Sequence, residues 1–106
     1  MTSRKLVSTL LVFSTSDFVS KLVRCILALK KDSIAGDQVV LVVNGGSYSS
    51  VSKLSEWDEW IQDPLFKMVY LDNLTPFGEA LNHGLKYCCH DYILRIDPDD
   101  ISLPGR

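Results

Sequence analysis

Val39-Val40-Leu41-Val42-Val43-Asn44-Gly45-Gly46 decides how this chain folds. Five consecutive apolar residues, four of them valine, favour extended backbone. Branching at Cβ restricts χ1 in a helix and fits a pleated sheet. The run has no polar alternation. A strand with one wet face alternates, whereas one without alternation is covered on both faces, as in a parallel sheet between helical layers. Asn44-Gly45-Gly46-Ser47 ends the run with residues suited to turns and positive φ.

Working outward, the flanking segments supply the other parts of such a sheet. Upstream, Leu6 to Phe13 reads as a strand, and Ser14-Thr15-Ser16-Asp17 as a polar turn able to cap a helix. Phe18, Val19, Leu22, Val23, Ile26, Leu27 and Leu29 recur at helical spacing, with Lys30-Lys31 suited to the helix C-terminus. Ser33 to Asp37 is a connection. Downstream, Val51, Leu54, Trp57 and Ile61 mark one face of a second helix, closed by Asp63-Pro64. Phe66 to Leu71 is a third strand. Thr75 reads as an N-cap with Pro76 at the first helical position, and Phe77, Ala80, Leu81, Leu85 and Cys88 form the apolar face of a third helix. Tyr92 to Ile96 is the fourth strand. Strand and helix thus alternate as β-α-β-α-β-α-β. The expected fold is a three-layer α/β/α domain with a mostly parallel sheet of about four strands. At 106 residues the chain is one domain at most. No helix follows the fourth strand before Arg106, which reads as a truncation that leaves part of the sheet uncovered.

Composition excludes several classes. Net charge is −2, without a basic run or aromatic-basic interleaving, so no nucleic-acid partner is expected. The apolar runs are too short to span a bilayer, and no secretory leader is evident, so no transmembrane segment is expected in this chain. Cys25, Cys88 and Cys89 are odd in number and lack disulfide-framework spacing, which points to a reduced, cytoplasmic setting. Cys25 reads as a small core residue. Cys88-Cys89-His90 lacks the CxxC spacing of structural zinc and reads as a helix end. His83, alone on its helix, receives no role.

In an open α/β sheet, ligands bind outside the carboxyl ends of the strands, where strand order reverses. Three such ends carry candidate chemistry: Phe13-Ser14, Asn44-Gly45-Gly46-Ser47 and Arg95-Ile96-Asp97-Pro98-Asp99-Asp100. If strands one, two and four are neighbours, these ends share one crevice. Asp97, Asp99 and Asp100 crowd three carboxylates into a small volume, which is costly unless a cation or solvent screens them. One reading is a Mg²⁺ or Mn²⁺ site that bridges carboxylate and phosphate oxygens; the other is a solvated acidic turn. The paired glycines serve either close ligand approach or an ordinary turn. Arg95 is placed to meet a phosphate or a structural carboxylate. Neither GxGxxG nor GxxxxGK[ST] occurs.

Two stretches at fixed separation resemble a known family. Gly78-Glu79-Ala80-Leu81-Asn82-His83-Gly84-Leu85, followed by Arg95-Ile96-Asp97-Pro98-Asp99-Asp100-Ile101-Ser102-Leu103-Pro104-Gly105-Arg106, is similar to the ALNxGL helix and R-[MI]-D-x-D-D segment of bacterial family 2 glycosyltransferases with the GT-A fold. The resemblance runs along nearly the whole chain and is to enzymes that build capsular and exopolysaccharide chains. It implies that residues 1–106 are the N-terminal nucleotide-sugar-binding part of such a domain, in an enzyme that moves a sugar from a nucleotide diphosphate donor to an acceptor hydroxyl, usually with inversion. It implies a DxD motif at Asp97 and Asp99, with Asp99 on the Mn²⁺ or Mg²⁺ and Asp97 near the ribose or the metal. Ser14, Asn44 and Gly45 then fall near base and ribose, with Arg95 as a supporting nucleotide contact. The implied partners are a nucleotide sugar and an acceptor glycan or lipid-linked glycan, at the inner face of the membrane for a full-length enzyme. An uncovered sheet face also favours a homo-oligomer. The alternative is a non-catalytic nucleotide-binding or assembly module of the same fold.

The chain departs from the family's pattern at three points. It has Asn44-Gly45 where Asp-Gly is usual, Phe13-Ser14 where the first strand usually ends in Tyr-Asn, and Pro76 where a glycine usually precedes the third helix. No general base is identifiable; it is expected beyond residue 106, which makes this chain inactive alone.

Overall fold

The computed structural model describes residues 5–14, 19–45 and 48–97. The capping turn read over Thr15 to Asp17, Phe18, Gly46-Ser47 and everything from Pro98 onward lie outside the described residues. The described chain runs β1 (Val7–Phe13), α1 (Val19–Asp32), β2 (Gln38–Asn44), α2 (Tyr48–Val51), α3 (Trp57–Gln62), β3 (Phe66–Leu71), α4 (Phe77–Leu85) and β4 (Tyr92–Ile96). The four strands form one sheet in the order β3, β2, β1, β4, and every pairing is parallel. This is the α/β arrangement expected for a fold of the GT-A type.

The doubly covered strand reads as expected. Val39 to Val43 are all at most 2% exposed, and Leu10 to Phe13 on β1 at most 3%. Odd and even positions go to opposite layers. Leu11, Phe13, Leu41 and Val43 pack with Leu22, Cys25 and Ile26 of α1 and with Val51, Trp57 and Trp60. Leu10, Val12, Val40 and Val42 pack with Val69 and with Ala80 of α4. The chain steps outward from β1 to β2 to β3 with its helices on one face. It then returns across the other face through α4 to reach β4.

The second helix differs from its reading. It is two short helices separated by turns, in which Leu54 N–H bonds Val51 C=O and Trp57 N–H bonds Leu54 C=O. The reason is geometric. At about 100° per residue, a straight helix sets residues nine apart on opposite sides. Val51 and Trp60, both buried in one cluster, could not both face the sheet on such a helix. The break resets the phase, so Val51, Trp57 and Trp60 are buried while Ile61 is 46% exposed. Trp60 stacks on Phe66 and meets Trp57 edge-on. Lys30 Nζ reaches Glu59 at 2.9 Å and Asp63 at 3.5 Å, joining the end of α1 to α3.

Helix α4 also corrects two expectations. Thr75 does not cap it: the Thr75 hydroxyl donates to Asn73 C=O, and the first helical bond runs from Ala80 N–H to Pro76 C=O. Its buried face is Ala80 and Gly84, with Leu81 and Cys88 half-buried, while Phe77 and Leu85 are exposed on the side toward solvent and β4. Two small residues one turn apart let the helix axis approach the sheet closely. A Cβ on Gly84 would collide with Leu10 Cδ1 and stand 2.7 Å from Val42 Cγ2. Strand β4 is the least covered: Tyr92 to Arg95 are all exposed. Lys5 Nζ sits 5.1 Å from the Tyr92 ring centroid.

At the amino edge of the sheet a polar cluster holds the α4–β4 connection. The buried Ser8 hydroxyl donates to Gln38 Oε1 at 2.7 Å and accepts from His90 N–H at 3.2 Å. Gln38 also accepts from Cys89 N–H and donates to Tyr87 C=O. Burial pushes the Cys88 thiol up, and the adjacent Cys89 adds to it. Cys88-Cys89-His90, read as a helix end, instead lies past α4 in the connection to β4, at the amino edge of the sheet.

The packing under α4 gives a direct test. Gly84→Val should cost about 1–3 kcal/mol in urea unfolding, because Leu10 and Val42 are buried and cannot yield. Gly78→Ala, where a Cβ meets nothing within 4 Å, should be neutral or stabilising by up to about 1 kcal/mol.

Candidate functional site

The strand order makes one site geometrically available. Moving outward from β1, the chain goes to β2 on one side and to β4 on the other. The carboxyl edge between β1 and β4 is thus the point of reversal, the place where open α/β sheets bind their ligands. Ser14 follows β1, Asn44 ends β2, and Asp97 follows β4. All three lie at one edge because every strand runs the same way. Phe13 is level with Val43, which puts Ser14 beside Asn44. Leu11 is level with Ile96, so Asp97 leaves the sheet about two residues, roughly 7 Å along the strand, before Ser14. The three strand ends read as convergent are neighbours in the order β2, β1, β4.

Asn44 is buried, 1% exposed, and its amide is fully engaged with the protein. Nδ2 donates to Ser14 Oγ at 3.2 Å and to Thr75 C=O at 2.8 Å, and Oδ1 accepts from Thr75 N–H at 2.9 Å. The next residue, Gly45, has φ +58°. A Cβ there would lie 2.7 Å from both Cα and N of Leu74. The β3–α4 connection therefore lies directly on the backbone that leaves β2. No spacing in the sequence announces this contact, since Asn44 and Thr75 are 31 residues apart.

Beside it, an open cleft of about 500 Å³ lies between the ends of β2 and β3, lined by Val43, Gly45, Tyr70, Leu71 and Asp72. Tyr70 is half exposed and meets Trp57 edge-on. Sequence reasoning identified the end of the third strand but gave Tyr70 and Asp72 no part in a site. The signal was the strand end itself, which a parallel sheet carries to the same edge as Asn44.

Arg95 lies on the α4 face of β4, level with Leu10. Its guanidinium carbon is 5.9 Å from the Phe77 ring centroid. With Leu10, Leu81, Leu85 and Ile93 it lines a groove of about 580 Å³ between α4 and β4. Asp97 is exposed at the end of β4. Asp99 and Asp100 lie outside the described residues, and among the described residues no group of three or more His, Cys, Asp or Glu could hold a metal ion. Asp97 supplies hard oxygen donors of the kind Mg²⁺ and Mn²⁺ prefer.

Known proteins match along most of the chain. The family model described as Glycosyl transferase family 2 matches residues 16–106. Similar proteins include the amylovoran biosynthesis glycosyltransferase AmsE of Erwinia amylovora, 30% identical over 93% of this chain and 36% of its own length. The UDP-Gal:alpha-D-GlcNAc-diphosphoundecaprenol beta-1,3-galactosyltransferase of Escherichia coli is 29% identical over 93% of this chain and 35% of its own. An uncharacterized glycosyltransferase of Haemophilus influenzae is 34% identical over 77% of this chain and 30% of its own length. The chain thus spans about a third of the length of these curated relatives.

The Gly45 crossing can be checked alone. Gly45→Ala should lower stability by more than about 2 kcal/mol, since an unfavourable φ and a backbone clash act together. Gly36→Ala should cost less, because there the neighbour is the flexible end of Leu6 and only φ +94° is strained.

Proposed function

Because the chain belongs to glycosyl transferase family 2, we propose that it forms the nucleotide-sugar-binding part of an enzyme that transfers a sugar from a nucleotide diphosphate donor to an acceptor hydroxyl. The biological setting is bacterial surface polysaccharide biosynthesis, with an acceptor glycan or lipid-linked glycan, and the transfer proceeds with inversion. The names of the Erwinia and Escherichia relatives support both the setting and a UDP-linked donor as the first to try. The observation that carries the reading is the adjacency of the β2, β1 and β4 ends at the point where strand order reverses.

In this reading the donor lies along the carboxyl edge. Ser14 and the Gly45 backbone face the base and ribose, Arg95 supports the nucleotide, and Asp97 with Asp99 holds Mg²⁺ or Mn²⁺. Oxygen donors at an exposed strand end suit either ion. When bound, such an ion supplies neutralisation of the charge that develops on the leaving diphosphate. The acceptor hydroxyl must also lose a proton to a base within hydrogen-bond reach. That base is assigned beyond residue 106, and this chain alone is read as inactive. No helix of the described residues is long and apolar enough to cross a membrane.

A second reading is a non-catalytic assembly module of the same fold. It gains from Asn44, whose amide is turned into the protein instead of toward a ligand.

Titration calorimetry separates the two. UDP, with other nucleoside diphosphates as comparison, should bind the folded chain in a Mn²⁺-dependent way. Asp99→Ala and Asp97→Ala should each weaken binding at least tenfold without lowering the unfolding midpoint. A well-folded chain that takes up no nucleotide with Mn²⁺ present favours the assembly module.

A further inference from the structure

We infer that Asn44 serves the nucleotide site as a positioning residue: it seats the Leu74-Thr75 segment over Gly45 and does not itself touch the nucleotide. This rests on the donor-binding reading above and changes how the edge works within it. The geometry carries it. Asn44 Oδ1 and Nδ2 meet the N–H and C=O of one residue, Thr75, at 2.9 and 2.8 Å. A primary amide has the acceptor and donor side by side, so it pairs with a single extended residue much as a neighbouring strand would. The second Nδ2 proton goes to Ser14 Oγ. Both amide protons are therefore committed inside the protein, in a side chain that is 1% exposed.

That arrangement explains why the residue is an amide. A carboxylate at this position could accept from Thr75 N–H but would face Thr75 C=O at 2.8 Å with no proton to give. Two acceptors in buried contact repel, and each loses its solvation without compensation. The segment held down is the one whose backbone passes Gly45 so closely that no Cβ fits. Gly45 in turn lines the cleft with Tyr70 and Asp72. Asn44 therefore sets the cleft's shape through Thr75 and Leu74, and it sets the Ser14 hydroxyl, whose oxygen it occupies as an acceptor. Contact with base and ribose falls to Ser14, the Gly45 backbone and the cleft side chains.

The test uses the ¹⁵N-labelled chain with UDP and diamagnetic Mg²⁺. Without nucleotide, both Asn44 Nδ2 protons and the Thr75 amide should be protected from exchange. On addition of UDP the Gly45 amide should shift, while the Asn44 side-chain resonances move by less than about a third as much. Asn44→Asp should weaken UDP binding tenfold or more, although it supplies the carboxylate usual in the family. If Asn44→Asp does not fold, the wild-type exchange and shift data decide alone. Rapid exchange of the Asn44 protons, a shift as large as that of Gly45, or an Asn44→Asp chain that binds UDP as well as or better than the wild type overturns the positioning role. A chain that binds no UDP but keeps the protected amide overturns the donor reading, and with it any site role for the clamp, so the two failures are distinguishable.

Discussion

Burial of β1 and β2 on both faces is the constraint from which the rest of this structure follows. Nine core positions on these two strands, Leu10 to Phe13 and Val39 to Val43, are almost completely removed from water. Each such side chain is worth about 1.5–3 kcal/mol when buried and nothing when left wet. Helices on a single face could protect only alternate residues. The chain must therefore place helical cover on both sides, which it does by moving outward through α1, α2 and α3 and back through α4. Returning across the opposite face puts β4 on the far side of β1. The reversal of strand order at the carboxyl edge is a by-product of covering two apolar strands.

Magnitudes show which contacts hold that cover in place. The exposed Lys30 pair with Glu59 and Asp63 is of a kind that contributes about 0–1 kcal/mol. Trp60, 1% exposed and stacked on Phe66, fills a volume whose loss typically costs about 3–5 kcal/mol. The helix break that turns Trp57 and Trp60 inward is set by this packing. On the other face, Ala80 and Gly84 act by their smallness, since they let α4 lie against Leu10 and Val42. The same glycine that lowers helix propensity is what the close approach requires.

The fold was legible because its signal is periodic and local. The unbroken apolar run at Val39 to Val43 gave the doubly covered strand, and Phe66–Leu71 and Tyr92–Ile96 were read to their ends. The second helix was misread because Val51, Leu54, Trp57 and Ile61 fit one helical face, while nothing local reveals that the aromatic pair must turn inward together. Thr75 before Pro76 is a sound capping signal; its backbone was instead taken by Asn44, a partner 31 residues away. The carboxyl-edge location of Ser14, Asn44 and Asp97 followed from parallel topology alone. The direction of each side chain did not, because it depends on contacts between segments far apart in sequence. The resemblance puts Asn44 near base and ribose, and among the described residues it is the most deeply buried polar side chain of that edge. Its Asn-Gly sequence reads as a turn whichever way the amide points.

Seen together, the two edges of the sheet use polar side chains in the same way. At the amino edge, Ser8 and Gln38 take up the N–H groups of Cys89 and His90 and the C=O of Tyr87, fixing where the chain enters β4. At the carboxyl edge, Asn44 takes up the N–H and C=O of Thr75, fixing where it enters α4. These two connections bound the one crossover among the described residues that changes face. Unpaired buried backbone groups cost about 1–3 kcal/mol each, so an amide side chain able to satisfy both a donor and an acceptor is efficient at a strand end. A residue committed in this way cannot also change partners when a ligand arrives without that cost. The polar group best placed by sequence to meet a nucleotide is thus held by the fold itself. In the proposed donor reading, recognition at this edge falls to its neighbours, the hydroxyl of Ser14 and the backbone at Gly45, next to which the Asn44 amide is fixed.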